Sequence, residues 1–186
     1  SGGTDEDDEV TGIETSLRGT TILEGLTIRQ EKSTENHRAI RNTGLKSKLY
    51  VNIDEAGILG ANKVDIQGNV LTDGFEAVTN LALTTADSKL HGTLRVKDGT
   101  LNLWLANGAT WTNENYGKRS GLYASKLTKL TGGTAAAHAG NVYMREDKDL
   151  TVKNYAGHTN FFFEHDAASP AALKGGNVKI EKAAAG

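Results

Sequence analysis

The chain of 186 residues contains no cysteine. That excludes a disulfide-stapled secreted module and a thiolate metal site. It also suits a chain that passes through a narrow pore unfolded. Proline occurs once, at Pro170, against 22 glycines. Many glycines with almost no proline point to tight turns whose flanking amides are all in use. No run approaches the ~20 apolar residues of a membrane helix. No signal-peptide pattern is present, so the chain reads as a mature segment or an excised fragment. A basic excess is missing too: the formal net charge is −2. No Lys/Arg cluster precedes an aromatic platform, which argues against a nucleic-acid partner. The one charge run, Asp5-Glu6-Asp7-Asp8-Glu9, lacks the glycine spacing of a calcium loop. It marks residues 1–19 as an acidic, flexible N-terminal segment.

Helical periodicity is nearly absent as well. The polar stretch from Glu31 to Arg41 has only Ala39 and Ile40 as apolar members and reads as part of a loop near 31–43. Period-two alternation recurs instead. Leu49, Val51 and Ile53 alternate with Tyr50, Asn52 and Asp54. Val64 and Ile66 flank Asp65, and Leu90, Gly92, Leu94 and Val96 share one face. Leu101, Leu103 and Leu105 follow, then Leu150 and Val152, Phe161 and Phe163, Val178 and Ile180. Alternate strand side chains point to opposite faces, so each run has one buried and one polar face. Glycine pairs such as Asp73-Gly74, Asp98-Gly99 and Asn107-Gly108 separate the runs. Asp98-Gly99 fits either a hairpin or the corner between two faces of a parallel β-helix.

A β-sandwich shares this alternation. Short strands of similar size with no helices between them favour a coiled stack, although no single repeat period fits. The expected fold is all-β, a right-handed parallel β-helix with an aromatic-rich C-terminal capping segment. Rungs are expected over 20–109 and the cap over 110–186. The aromatics set that boundary: among the first hundred residues only Tyr50 and Phe75 are aromatic. Trp104 sits between Leu103 and Leu105, so it should point outward, either under a loop or as a contact surface.

Chemistry finds little support. His37, His91, His138, His158 and His165 show no paired metal-ligand spacing. His165-Asp166 has no serine elbow to complete a triad. Asp54 and Asp65 would share an outer face, but carboxylates are not concentrated in the body of the chain as a glycosidase groove requires. Gly132-Gly133-Thr134 lacks the lysine of a phosphate loop. No catalytic residue, metal or cofactor is expected. Taken alone, Trp111 and Phe161 to Phe163 are candidates for a carbohydrate platform.

The stretch from Asn107 to Gly186 resembles the C-terminal end of pertactin-like autotransporter passengers. The similarity runs through Asn107-Gly108-Ala109-Thr110-Trp111, Leu127 to Leu130 and Gly132-Gly133. It continues through Leu150 to Gly157, Phe161 to Phe163 with His165-Asp166, and Gly176 to Ile180. Ala156 departs from the family's usual serine, and the insert from Ala167 to Lys174 is this chain's own. The resemblance implies a cell-surface or extracellular passenger of a Gram-negative bacterium, followed in the full protein by an outer-membrane β-barrel. It implies an adhesin for a host ligand or another copy of itself, or else a passive stem for an upstream effector such as a protease domain. Its last segment would cap the β-helix and promote folding. The resemblance also implies that Trp111 and Phe161 to Phe163 are packing residues on core or capping strands rather than a carbohydrate platform. The residues expected in that cap are Trp111, Leu150, Val152, Tyr155, Gly157, Phe161, Phe163, Gly176, Val178 and Ile180.

Overall fold

In the computed structural model the described residues are 10–15, 17–29, 37–116, 124–145, 148–166, 169–173 and 176–184. Their strands are β1 (Val10–Glu14), β2 (Thr20–Leu23), β3 (Leu26–Ile28), β4 (His37–Asn42), β5 (Lys48–Val51) and β6 (Val64–Gln67). Next come β7 (Asn69–Leu83), β8 (Lys89–His91), β9 (Leu94–Leu105), β10 (Thr110–Asn113), β11 (Ser125–Thr131) and β12 (Gly140–Met144). The last are β13 (Leu150–Ala156), β14 (Thr159–Phe163), β15 (His165–Asp166), β16 (Ser169–Leu173) and β17 (Val178–Ala183). Among the described residues, one short 3-10 turn at Ala136–His138 is the only helical element.

Apart from the antiparallel β15–β16 pair, every strand-to-strand ladder is parallel. A strand that pairs in parallel with the chain one turn later builds a solenoid. Three faces result. The first runs β1, β4, then the opening residues of β7, β9, β11, β13 and β17. The second runs β2, β5, then the later residues of those same long strands. The third is the six-stranded sheet β3-β6-β8-β10-β12-β14, with five turns between its end members. The sequence offset per turn varies twofold, from 19 (Gly140 to Thr159) to 38 (Leu26 to Val64). Insertions at the corners and register shifts inside the long ladders absorb this variation, so no fixed repeat shows in the sequence.

The interior is a set of aliphatic ladders. On the second face Leu23, Val51, Leu81, Leu103, Leu130 and Tyr155 stack in register. On the third, Ile28, Ile66, Leu90, Trp111, Val142 and Phe161 do the same. Burying each such side chain stabilises the fold by about 1.5–3 kcal/mol. Polar groups also enter the interior, and Asn42 is fully bonded there. The Asn42 amide donates to Val78 O and Thr79 Oγ1, both at 3.0 Å. Its Oδ1 accepts from Thr15 and from Ser47. Most buried polar groups in folded proteins are bonded in this way.

Several expectations are corrected. Among the described residues pairing is already present at Val10, ahead of Thr20, because β1 lies in parallel register on β4. His37–Asn42 is a strand and not part of a loop, with Ala39 and Ile40 fully buried between outward arginines. Residues 31–36 of that expected loop lie outside the described residues. Of the two readings left open for Asp98-Gly99, the structure takes the corner: it lies inside β9, stacked on the corner at Asp73. Leu90 and Leu94 belong to two strands on different faces that meet at Gly92-Thr93, although both point into one core. Ala109 marks no break: β10, just beyond it, pairs with β8 before it and β12 after it.

Candidate functional site: the closing turns and the outer faces

The closing turns bring most of the expected cap residues together. Trp111 is fully buried, and its indole N–H donates to Gly92 O at 2.9 Å. Leu150 and Val152 are fully buried in β13. Tyr155, Phe161, Phe163 and Val178 are half-buried and pack against the core. The Tyr155 and Phe161 rings meet at 6.5 Å between centroids, tilted by 48°. Ile180 is different: at 37% exposure it packs little, as β17 lies at the end of its sheet.

The two glycines of this set serve the backbone. Gly157 has φ +81 and turns the corner between β13 and β14. A Cβ there would lie 2.7 Å from Gly132 O. At Gly176 a Cβ would lie 2.1 Å from Lys148 O, so the chain passes too close for any side chain. Nearby, buried Asn113 ties the turns together. Its Oδ1 accepts from Ser125 Oγ at 2.6 Å, and Ser125 Oγ accepts from Leu94 N at 3.0 Å.

Outward positions on β10, β12 and β14 form ordered rows. Asn141 and Asn160 are register partners, with the Asn160 amide donating to Asn141 Oδ1 at 3.1 Å. Beside them Tyr143 and Phe162 stack at 4.7 Å with rings 13° from parallel. Arg145 lies 5.9 Å over Tyr143 and pairs with Glu164 at 2.8 Å. Phe162 was grouped with the packing residues by the family resemblance, yet it is 44% exposed because it alternates with inward Phe161 and Phe163. Trp104 points outward as expected and is half-buried, between Ala82 and Thr131 of the adjoining turns.

A second surface feature escaped the sequence reading. The 52–63 connection between β5 and β6 turns back on itself at Asp54 to Gly57 and bridges Ile53 to Leu59, leaving Ile58 and Leu59 67% and 43% exposed on its returning arm. Buried Asn52 organises it: its amide donates to Gly60 O, Ala82 O and Thr84 Oγ1, and its Oδ1 accepts from Asn62 N. The asparagine followed by Gly57 and Gly60 was the available signal, but the alternation ending at Ile53 hid it.

Several titratable residues are engaged in local pairs. His91 Nε2 lies 2.7 Å from Glu114 Oε2, and Tyr116 sets its ring edge on His91 at 5.1 Å. Burial pushes the Tyr116 phenol above its ordinary value. The Asp65 carboxylate pairs with Arg29 at 3.2 Å, while Asp54 Oδ1 caps Ile58 N at 2.8 Å. Among the described residues no cluster of three metal-ligating side chains occurs. The side chains of His37, His165 and Asp166 lie outside the described residues.

No family model matches the chain, and it has no match among curated proteins or solved structures.

Proposed function

We propose that the chain is the C-terminal part of a Gram-negative autotransporter passenger, displayed outside the cell as an adhesive β-solenoid. Its coil is right-handed, as connections between parallel strands of one sheet are. Its closing turns cap the core and seed folding during secretion. One observation carries this reading. The residues that carry the family resemblance, Trp111, Leu150, Val152, Tyr155 and Phe161, are the inward members of the last turns.

The physical logic follows from the fold. A solenoid end exposes unpaired amides and core side chains. Aromatic rings cover more of such an end per residue than aliphatic ones. A segment that leaves the pore first and folds there offers a template for each later turn. The outer rows of Asn, Tyr and Phe on β12 and β14, with Arg145 just beyond β12, present regularly spaced polar and aromatic groups to a ligand.

Labelled purified chain added to cultured epithelial cells tests the adhesive role. Saturable binding that unlabelled chain displaces is the expected result. A chain that binds no cell and stays a monomer overturns it and leaves the passive stem with an upstream effector.

A further inference from the structure

Three successive turns make the same corner between the first and second faces. Each corner reads apolar, charged, small: Leu17-Arg18-Gly19, Leu45-Lys46-Ser47 and Phe75-Glu76-Ala77. The charged residue takes a positive φ each time, 54° at Arg18, 55° at Lys46 and 53° at Glu76. Hydrogen bonds stack the corners directly. Arg18 N donates to Leu45 O at 2.8 Å, and Lys46 N donates to Phe75 O at 2.9 Å. The small residue turns inward, with Ser47 and Ala77 fully buried.

This geometry forces the apolar residue outward. Leu17 is 63% exposed and Phe75 is 58% exposed, with half-buried Leu45 between them. Adjacent strands lie about 4.8 Å apart, so the three side chains form a ridge roughly 10 Å long. The ridge stops at Phe75. In the next turn the corner shortens to Gly99, because Asp73 pairs with Asp98 and Val78 already pairs with Thr100. A water-facing apolar ridge repeated over three turns has no use in packing this core, and such patches mark contact surfaces.

We propose that this ridge is a self-association surface that pairs two copies of the chain antiparallel, about a two-fold axis at Leu45. The charge order selects the partner and its direction. Along the ridge run Arg18, Lys46 and Glu76, with Lys46 and Glu76 3.6 Å apart in the same chain. Parallel pairing would set arginine on arginine, lysine on lysine and glutamate on glutamate. Antiparallel pairing sets Arg18 on the partner's Glu76 at both ends and Leu17 on the partner's Phe75. It leaves a single like-charge pair, Lys46 with its copy at the axis, where Glu76 of the same chain lies 3.6 Å away. A two-fold contact is self-complementary in this sense, and the like-charge contacts of the parallel arrangement disfavour it. This deepens the self-association arm of the adhesive reading, but it rests on the ridge and needs no cell surface.

The absence of native cysteine makes the test direct. Under mild oxidation the full chain carrying Leu45→Cys should cross-link to a dimer. Leu17→Cys alone and Phe75→Cys alone should stay monomeric, while a mixture of the two should cross-link. By sedimentation the unmodified chain should shift toward dimer as concentration rises to about 1 mM, a range suited to a small contact. Glu76→Lys should abolish that shift, and adding Arg18→Glu should restore it. Circular dichroism unchanged from the parent keeps each variant interpretable. A monomer at every concentration, cross-linking of Leu17→Cys with itself, or a dimer indifferent to Glu76→Lys overturns the proposal. Binding to host cells can survive that result, so the two readings fail separately.

Discussion

Tyr155 and Phe161 come from different faces of the solenoid, yet their rings meet at 6.5 Å. Each stands one turn beyond an aliphatic ladder member, Tyr155 after Leu130 and Phe161 after Val142. Phe161 is the last member of its ladder, since β14 ends the six-stranded sheet. The two rings therefore converge where the core runs out of stacked aliphatic partners.

That placement grades the cost of removing rings. Trp111→Ala should cost about 3–5 kcal/mol, as a fully buried ring leaves a cavity. Phe161→Ala and Tyr155→Ala remove half-buried rings and should cost roughly 1.5–2.5 kcal/mol each. Urea denaturation with constant slope checks the order. Equal midpoints for all three variants would contradict it.

Asn42 holds Thr15, Ser47 and Thr79 around one buried amide. Asn42→Leu keeps the volume but removes these three bonds and the one to Val78 O. It leaves Thr15 and Ser47 to each other, Ser47 to Gly44 O and Thr79 to Thr72. Each lost bond costs about 0.5–1.5 kcal/mol, so the variant should be among the least stable single substitutions. A stability equal to the parent in equilibrium unfolding would mean that the network contributes nothing.

Asn52 should control the connection at 52–63 without controlling the fold. Asn52→Asp keeps the acceptor for Asn62 N but loses the three donations to Gly60, Ala82 and Thr84. Limited proteolysis should then cut within 53–62 at least about tenfold faster, while the core stays protected. Unchanged cleavage would show that the loop stands by its own turns.

Tyr116 gives a pH signature. Burial raises its pKa in the folded chain above the ordinary 10.0. The neutral form is the one the fold accepts, so its contribution is complete below the unfolded value of about 10. It is lost as pH rises through the folded value. Tyr116→Phe should flatten the alkaline fall in thermal midpoint, and an identical fall in both proteins would refute the assignment.

Much of this fold was legible because strand alternation survives wherever the inward residues are aliphatic. Leu101, Leu103 and Leu105 gave both a strand and the outward direction of Trp104. Legibility failed where the interior is polar. In β7 the buried Thr72, Thr79 and Asn80 break the apolar pattern, and a strand of 15 residues passed unnoticed. β4 was hidden by Arg38 and Arg41 on either side of two buried residues. The corner ridge was hidden by unequal spacing, since turns of different length move a repeated tripeptide out of phase. For the candidate cap, the aromatic count showed where rings gather. Which of them face inward depended on strand register, and Phe162 fell on the outside.

β3 and β14 are the two end strands of one sheet, which makes them a matched pair for the central claim that the closing turns seed the fold. Aliphatic Leu26 and Ile28 finish one end, and Phe161 and Phe163 finish the other. Hydrogen exchange of the intact chain, resolved by segment, compares them directly. Amides of β12 and β14 should exchange at least about tenfold more slowly than those of β3 and β6, a difference of about 1.4 kcal/mol. Equal protection, or slower exchange at the β3 end, would contradict a folding seed in the closing turns.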